Sequence, residues 1–234
     1  MDVVVRDGPA EVAQAAADIV CRLLADRPDA VLGLPTGKTP LALYDELACR
    51  CREGAVSFRR ATVFALDELL GLRDGDPRSF RATLRGAIVG RVDLDPSRFH
   101  SPAGEGREYE DLIVRAGGLD LVLLGIGRNG HIAFNEPGSD RGTRTRRVAL
   151  APATVEEMTA SFAPDPPPRE AVTIGVATIL EARRVVLMAV GAGKAPAVAR
   201  AVSGPIDASC PASWLRTHTD ASLVIDAAAA GRRA

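Results

Sequence analysis

At 234 residues, with 47% apolar and 25% charged residues, the chain is long enough for one sizeable α/β core or two small ones, and an aromatic content of 4% leaves Leu, Val and Ala to fill it. A formal net charge of −1 supplies no general attraction to nucleic acid or anionic lipid, which argues against a polymer partner. The opening MDVVVRDGPAE places acids where a signal peptide needs an apolar core, and no later run approaches bilayer length, so a cytoplasmic protein with no membrane partner is expected.

Short apolar runs alternate with helical segments. A strand at 3–6 (VVVR) precedes a helix at 10–26, AVLGL at 30–34 precedes a helix at 40–52, and ATVFAL at 61–66 precedes one at 77–90. A helix at 105–117 leads into LDLVLLGI at 119–126, and RRVVLMAV at 183–190 leads into a helix at 194–203. The runs are continuous rather than alternating, as strands covered on both faces must be. This βαβ series predicts an α/β fold, Rossmann-like, with a mostly parallel sheet and helices on both faces. One domain over 1–234 is expected, because the proline-rich APDPPPRE at 163–170 leaves too little chain after it for a second; it reads as part of a lid around 152–170. RGTRTRR at 141–147, the one run of charge, reads as a solvated segment.

Folds of this kind bind ligands beyond the carboxyl ends of their strands, so the residues directly after each apolar run matter most. After the second run comes GLPTGKTP at 33–40, after the third Asp67-Glu68, and after the fourth GRNGHIAFNEPG at 127–138. The first is one residue short of a nucleotide P-loop, since Leu32 stands where the opening glycine belongs. Gly37 permits an unusual backbone angle, and Pro40 suits the first turn of the next helix. The N–H groups of 37–39 could therefore face an anion at a helix N-terminus, or the segment could be a plain turn capped by Thr39. Asp67 could end a magnesium-binding strand, cap a turn, or serve as a general base. His131 stands among glycines directly after a buried strand, with Asn129 and Glu136 as the nearby partners for its second ring nitrogen. Only His100 and His218 accompany it, the four cysteines show no CxxC and there is no HExxH, so neither metal nor cofactor is expected; Cys49 and Cys51 read as reduced thiols.

GLPTGKTP, ALDELLGL, LGIGRNGHIAFNEPG, AVTIGVATIL and VGAGKA, in this order and spacing, resemble the glucosamine-6-phosphate deaminase family, within the glucosamine/galactosamine-6-phosphate isomerase superfamily. GHIAFNEPG is the most specific segment and separates the chain from the related 6-phosphogluconolactonases. The resemblance implies conversion of glucosamine 6-phosphate and water to fructose 6-phosphate and ammonia, without metal or nucleotide. The partner is then a small sugar phosphate, held through Thr36, Gly37, Lys38, Thr39 and Lys194. It further implies that Asp67 moves a proton between C2 and C1, that His131 assists ring opening, and that Asn129 and Glu136 orient the histidine.

Four departures from the family pattern stand out. Lys38 replaces a frequent glycine, Leu69 a frequent tyrosine, and Asn129 an aspartate of some members; near Ala160, where well-studied members carry a phosphate-binding arginine, there is none. A cation lost and a cation gained suggest that Lys38 compensates, with Arg169 as another substitute. Ser139 and Arg146 resemble part of an effector site in hexameric relatives, but the lysine expected near Val148 is missing, which leaves a monomer or homo-oligomer open and favours a smaller, unregulated form. The rivals are a lactonase or other sugar-phosphate isomerase, a nucleotide switch, and a sensor that binds sugar phosphate without turnover.

Overall fold

A computed structural model describes residues 1–231. In chain order its elements are β1 (Asp2–Arg6), α1 (Pro9–Asp26), β2 (Val31–Leu34), α2 (Thr39–Arg52), β3 (Thr62–Ala65), β4 (Asp67–Leu69), α3 (Phe80–Ala87), β5 (Phe99–His100), α4 (Arg107–Arg115), β6 (Leu121–Gly125), β7 (Arg146–Ala149), α5 (Pro152–Phe162), β8 (Glu170–Thr173), α6 (Val176–Leu180), β9 (Arg184–Ala189), α7 (Ala195–Ser203) and β10 (Ala221–Asp226). Seven strands form one sheet in the order β1-β10-β9-β6-β2-β3-β5, and every neighbouring pair is parallel. The remaining three form a small antiparallel sheet, β4-β8-β7. The expected α/β architecture is present as one domain, with its antiparallel part segregated rather than mixed into the main sheet.

The apolar runs are continuous because consecutive residues feed opposite cores. Leu32, Leu34, Val63, Ala65, Leu121, Leu123, Val186 and Met188 pack on the side of α1 and α2. Val31, Phe64, Leu66, Val122, Leu124, Val185 and Leu187 pack on the side of α4, α6 and α7. α1 starts at Pro9, which loses nothing by lacking an N–H in the first turn, and buries Val12, Ala16, Ile19 and Val20 along one stripe.

Chain direction places the ligand crevice. From β2 the chain builds outward to β3 and β5; it then returns to lay β6 on the other side of β2 and continues to β9 and β10. β2 and β6 therefore flank the switch point, and the loops after them diverge to leave a crevice.

One reading of the sequence needs correction. RGTRTRR is not simply solvated: Arg146–Ala149 is strand β7, Arg147 pairs with Glu170 and Glu105, Arg144 with Glu181 and Glu110, and Arg146 donates to Asn135 and Ser139. An edge strand tolerates such charge because one side faces water. The stretch 152–170 is a helix over Pro152–Phe162 followed by a proline turn, and Glu170 already belongs to β8.

Candidate active site

Asp67 stands where the two sheets meet. β3 ends at Ala65, Leu66 receives Ile174 N–H on its carbonyl at 2.8 Å, and Asp67 opens β4 opposite Thr173. One residue thus separates the parallel sheet from the antiparallel one, and the side chain at that joint points into the crevice. Asp67 is 6% exposed, and its Oδ1 has no hydrogen-bond partner among the described residues. Burial first, and the neighbouring Glu68 charge second, push its pKa up from 3.8 to about 7. Glu68 has different work: its carboxylate accepts from Phe80 N and Arg81 N, each at 2.8 Å, which satisfies the N-terminus of α3. Neighbours in sequence, the two acids divide into one unpaired group and one structural cap.

The segment after β6 supplies the histidine. Gly127 is required there by close approach, because a Cβ at 127 would lie 2.3 Å from the His131 ring. Nδ1 of His131 lies 3.3 Å from Glu136 Oε2, short of hydrogen-bond geometry but close enough for strong electrostatic coupling. Asn129 does not touch the ring. Its Oδ1 accepts from the His131 backbone N–H at 3.1 Å, and its Nδ2 donates to Glu136 Oε2 at 2.6 Å, so it fixes loop and carboxylate together. Glu136 also accepts from Thr154 Oγ1 at 2.5 Å. Burial opposes ionisation of Glu136, but the close His131 ring and the hydrogen bonds from Thr154 and Asn129 prevail and hold its pKa at about 2. Ala133 closes the turn with φ of 49°, a left-handed value that a side chain adopts only under constraint. The constraint is Asn135, fully buried, which donates to the carbonyls of Ile132 (3.1 Å) and Ile174 (2.8 Å) and so staples this loop to the end of β8.

The opposite end of the crevice is built from the loops after β2 and β9. Gly37 has φ of 106°, open to glycine, and turns the chain into α2; no side chain caps that helix, so Thr39 is not the cap that a plain turn would use. Lys194 donates to Ile126 O at 2.8 Å and is half-buried; desolvation lowers its pKa, with Glu157 opposing and Arg128 adding to the shift. A cavity of about 250 Å³ joins these parts. It is lined by Thr36, Gly37, Lys38, Thr39, Asp67, His131 and Lys194, with Thr154, Glu157 and Met158 contributed by α5. Asn129 and Glu136 lie behind His131 rather than on the wall. A roomier groove of about 450 Å³ lies at the amino ends of β2 and β3, but its walls carry neither carboxylate nor histidine.

Residues expected from separate stretches of the chain therefore converge. Arg169 and Ala160 do not take part: both are exposed and neither lines the cavity. Thr154, Glu157 and Glu68 acquire their places only in three dimensions; a Thr next to a helix start and an acid in an acidic helix carry no signal of their own. The other two histidines are structural. His218 bonds Ala182 O at 2.8 Å and receives Asp220 N–H at 3.0 Å, while His100 packs on Phe64.

Comparison with known proteins gives the family of the chain. The family model described as glucosamine-6-phosphate isomerases/6-phosphogluconolactonase matches residues 7–224. The glucosamine-6-phosphate deaminase of Cellvibrio japonicus (strain Ueda107) is 44% identical over 240 residues, covering 99% of this chain and 91% of that protein. That of Hahella chejuensis (strain KCTC 2396) is 44% identical over 239 residues, covering 99% and 92%. Among solved structures, a monomeric glucosamine-6-phosphate deaminase superposes with a TM-score of 0.95 at 38% identity over 100% of both chains. A 6-phosphogluconolactonase from Trypanosoma brucei shares the fold, with a TM-score of 0.77 at 20% identity over 98% and 97% of the two chains. With a family model spanning most of its length and relatives aligned nearly end to end, the chain belongs to the glucosamine-6-phosphate isomerase/6-phosphogluconolactonase family.

Proposed function

We infer that the chain is a glucosamine-6-phosphate deaminase, converting glucosamine 6-phosphate and water to fructose 6-phosphate and ammonia. The observation that carries the reading is Asp67: an unpaired carboxylate with a pKa near 7, on the same cavity wall as His131. A base that removes a proton from carbon works best when its pKa lies near the operating pH, and burial provides that here. Relatives with this activity, similar over nearly the whole chain, support the same conclusion.

The residues fall into roles. His131 takes the proton from the C1 hydroxyl and returns one to the ring oxygen, opening the sugar. Ionised Asp67 then removes the proton from C2; the electron pair forms the C1–C2 double bond and the aldehyde oxygen takes up a proton, giving an enolamine. Protonated Asp67 returns the proton to C1, which leaves an imine at C2. Water adds to this carbon and ammonia departs. His131, steadied by Glu136, stands where it can donate to the developing oxyanion. The sugar's phosphate is held by the N–H groups at the start of α2 and by Thr36, Thr39, Lys38 and Lys194. Lys38 is exposed and makes no ion pair among the described residues, so its charge is free for this task. α5 acts as a lid across the cavity, and the chain works as a monomer, a reading that draws support from its likeness to a monomeric deaminase. None of the described helices is long and apolar enough to cross a membrane.

The test is a coupled assay for ammonia and fructose 6-phosphate from glucosamine 6-phosphate, with Asp67→Asn as control and 6-phosphogluconolactone as the competing substrate. Stoichiometric release of both products that the control abolishes is expected. Substrate binding without ammonia would leave only a sensor, and hydrolysis of the lactone alone would make the protein a lactonase. Analytical ultracentrifugation tests the monomer.

A further inference from the structure

Among the described residues, Glu136 receives one hydrogen bond from outside its own loop. The donor is Thr154 Oγ1, 2.5 Å from Oε1, and Thr154 lies in the first turn of α5. The other oxygen, Oε2, is shared between Asn129 Nδ2 at 2.6 Å and the His131 ring at 3.3 Å. A carboxylate is planar, so fixing Oε1 also fixes the direction of Oε2. With only the Asn129 contact, the group could turn about that bond and carry Oε2 away from the ring.

We propose that Thr154 is a positioning residue for the reaction: its hydroxyl sets the Glu136 carboxylate, and through it His131, only while α5 lies over the cavity. The same helix presents Glu157 and Met158 to the cavity, so a substrate that alters the seating of α5 also alters the histidine's partner. At its far end α5 is anchored independently, where Arg78 stacks 4.9 Å from the centre of the Phe162 ring and bonds Phe162 O. The Thr154 end is therefore the one that couples helix position to chemistry. In this assignment Thr154 acts through Glu136 and not on the substrate. This rests on the deaminase reading only in its activity readout, because the ring of His131 can be observed without turnover.

The experiment compares Thr154→Val, which keeps the shape and loses the donor, with Thr154→Ser, which keeps the donor. Loss of one hydrogen bond to a charged group should lower kcat on the order of tenfold with KM within about twofold, and Ser should restore kcat. Three histidines make the imidazole resonances assignable. In Thr154→Val the titration midpoint of His131 should move while those of His100 and His218 stay, and Ser should bring it back. Wild-type kcat and an unmoved His131 midpoint in the Val variant would overturn the proposal, as would equal losses in Val and Ser. Absence of ammonia release by the wild-type protein would instead refute the deaminase reading and leave the His131 titration to decide this one.

Discussion

Replacing Asp67 with Asn should make the protein more stable while removing its activity, and the size of the gain follows from the burial of that carboxylate. In the unfolded chain the group ionises with a pKa of 3.8; in the folded protein burial and Glu68 raise this to about 7. At about 1.4 kcal/mol for each tenfold change in acidity, ionised Asp67 costs the folded state about 4 kcal/mol. The sign is definite. Below pH 3.8 the acid is neutral in both states and nothing is lost; between 3.8 and about 7 the folded state binds more protons than the unfolded, so stability falls as pH rises; above about 7 the whole penalty is present. Asparagine has the same shape and no such titration. Thermal unfolding of both proteins at about pH 5 and about pH 9 measures the difference, with the Asn variant melting about 8–16 °C higher at the alkaline value and the gap shrinking towards acid. With Asp67 as the proposed base, the same ionisation should give an activity that rises with pH to a plateau above about 7, because only an ionised carboxylate takes up a proton. Equal melting temperatures at both pH values would mean that Asp67 is hydrated or paired, and the reasoning from burial to basicity would fail with it.

Gly127→Ala places a methyl group 2.3 Å from the imidazole of His131, and displacing the ring by about 1 Å should lower kcat on the order of a hundredfold with the fold retained by circular dichroism; undiminished kcat would show that ring position is not critical. Lys38→Ala should raise KM for the phosphorylated sugar roughly two- to fivefold, the range for an exposed charge, with less effect on the unphosphorylated amino sugar; equal effects on both would remove Lys38 from the phosphate site. Glu157→Gln takes a negative charge away from the neighbourhood of Lys194, so inhibition by inorganic phosphate should tighten roughly two- to fivefold at low salt and less at high salt; weaker inhibition would mean that Glu157 helps rather than opposes anion binding.

The parts of this site that a reader of the sequence can find are those at strand ends. ATVFAL and LVLLGI read as near-continuous apolar runs because both sheet faces are covered, and that same burial marks Asp67 and His131 as polar residues stepping out of a core. Contacts that depend on tertiary distance leave no such mark. Glu136 lies eighteen positions before Thr154, with a strand between them, and nothing in PATVEE announces a donor. β10 (ASLVID) escapes notice because Ser222 and Asp226 break its apolar run; both are buried, and Asp226 accepts from Gly191 N–H at 3.0 Å and Ala229 N–H at 2.7 Å. β7 hides for the opposite reason: its arginines look like solvent-facing charge until their carboxylate partners, contributed by distant segments, are in place.

β1, at one edge of the large sheet, has a single neighbour there, and that neighbour is β10, far along the chain: Asp2 pairs with Ser222 and Val5 with Ile225. As the protein emerges from a ribosome, β1 therefore has nothing to bond to until β10 has been made. Its exposed Val3 and its unpaired amides spend that interval in the open, which makes nascent-chain chaperones most useful to this molecule at β1.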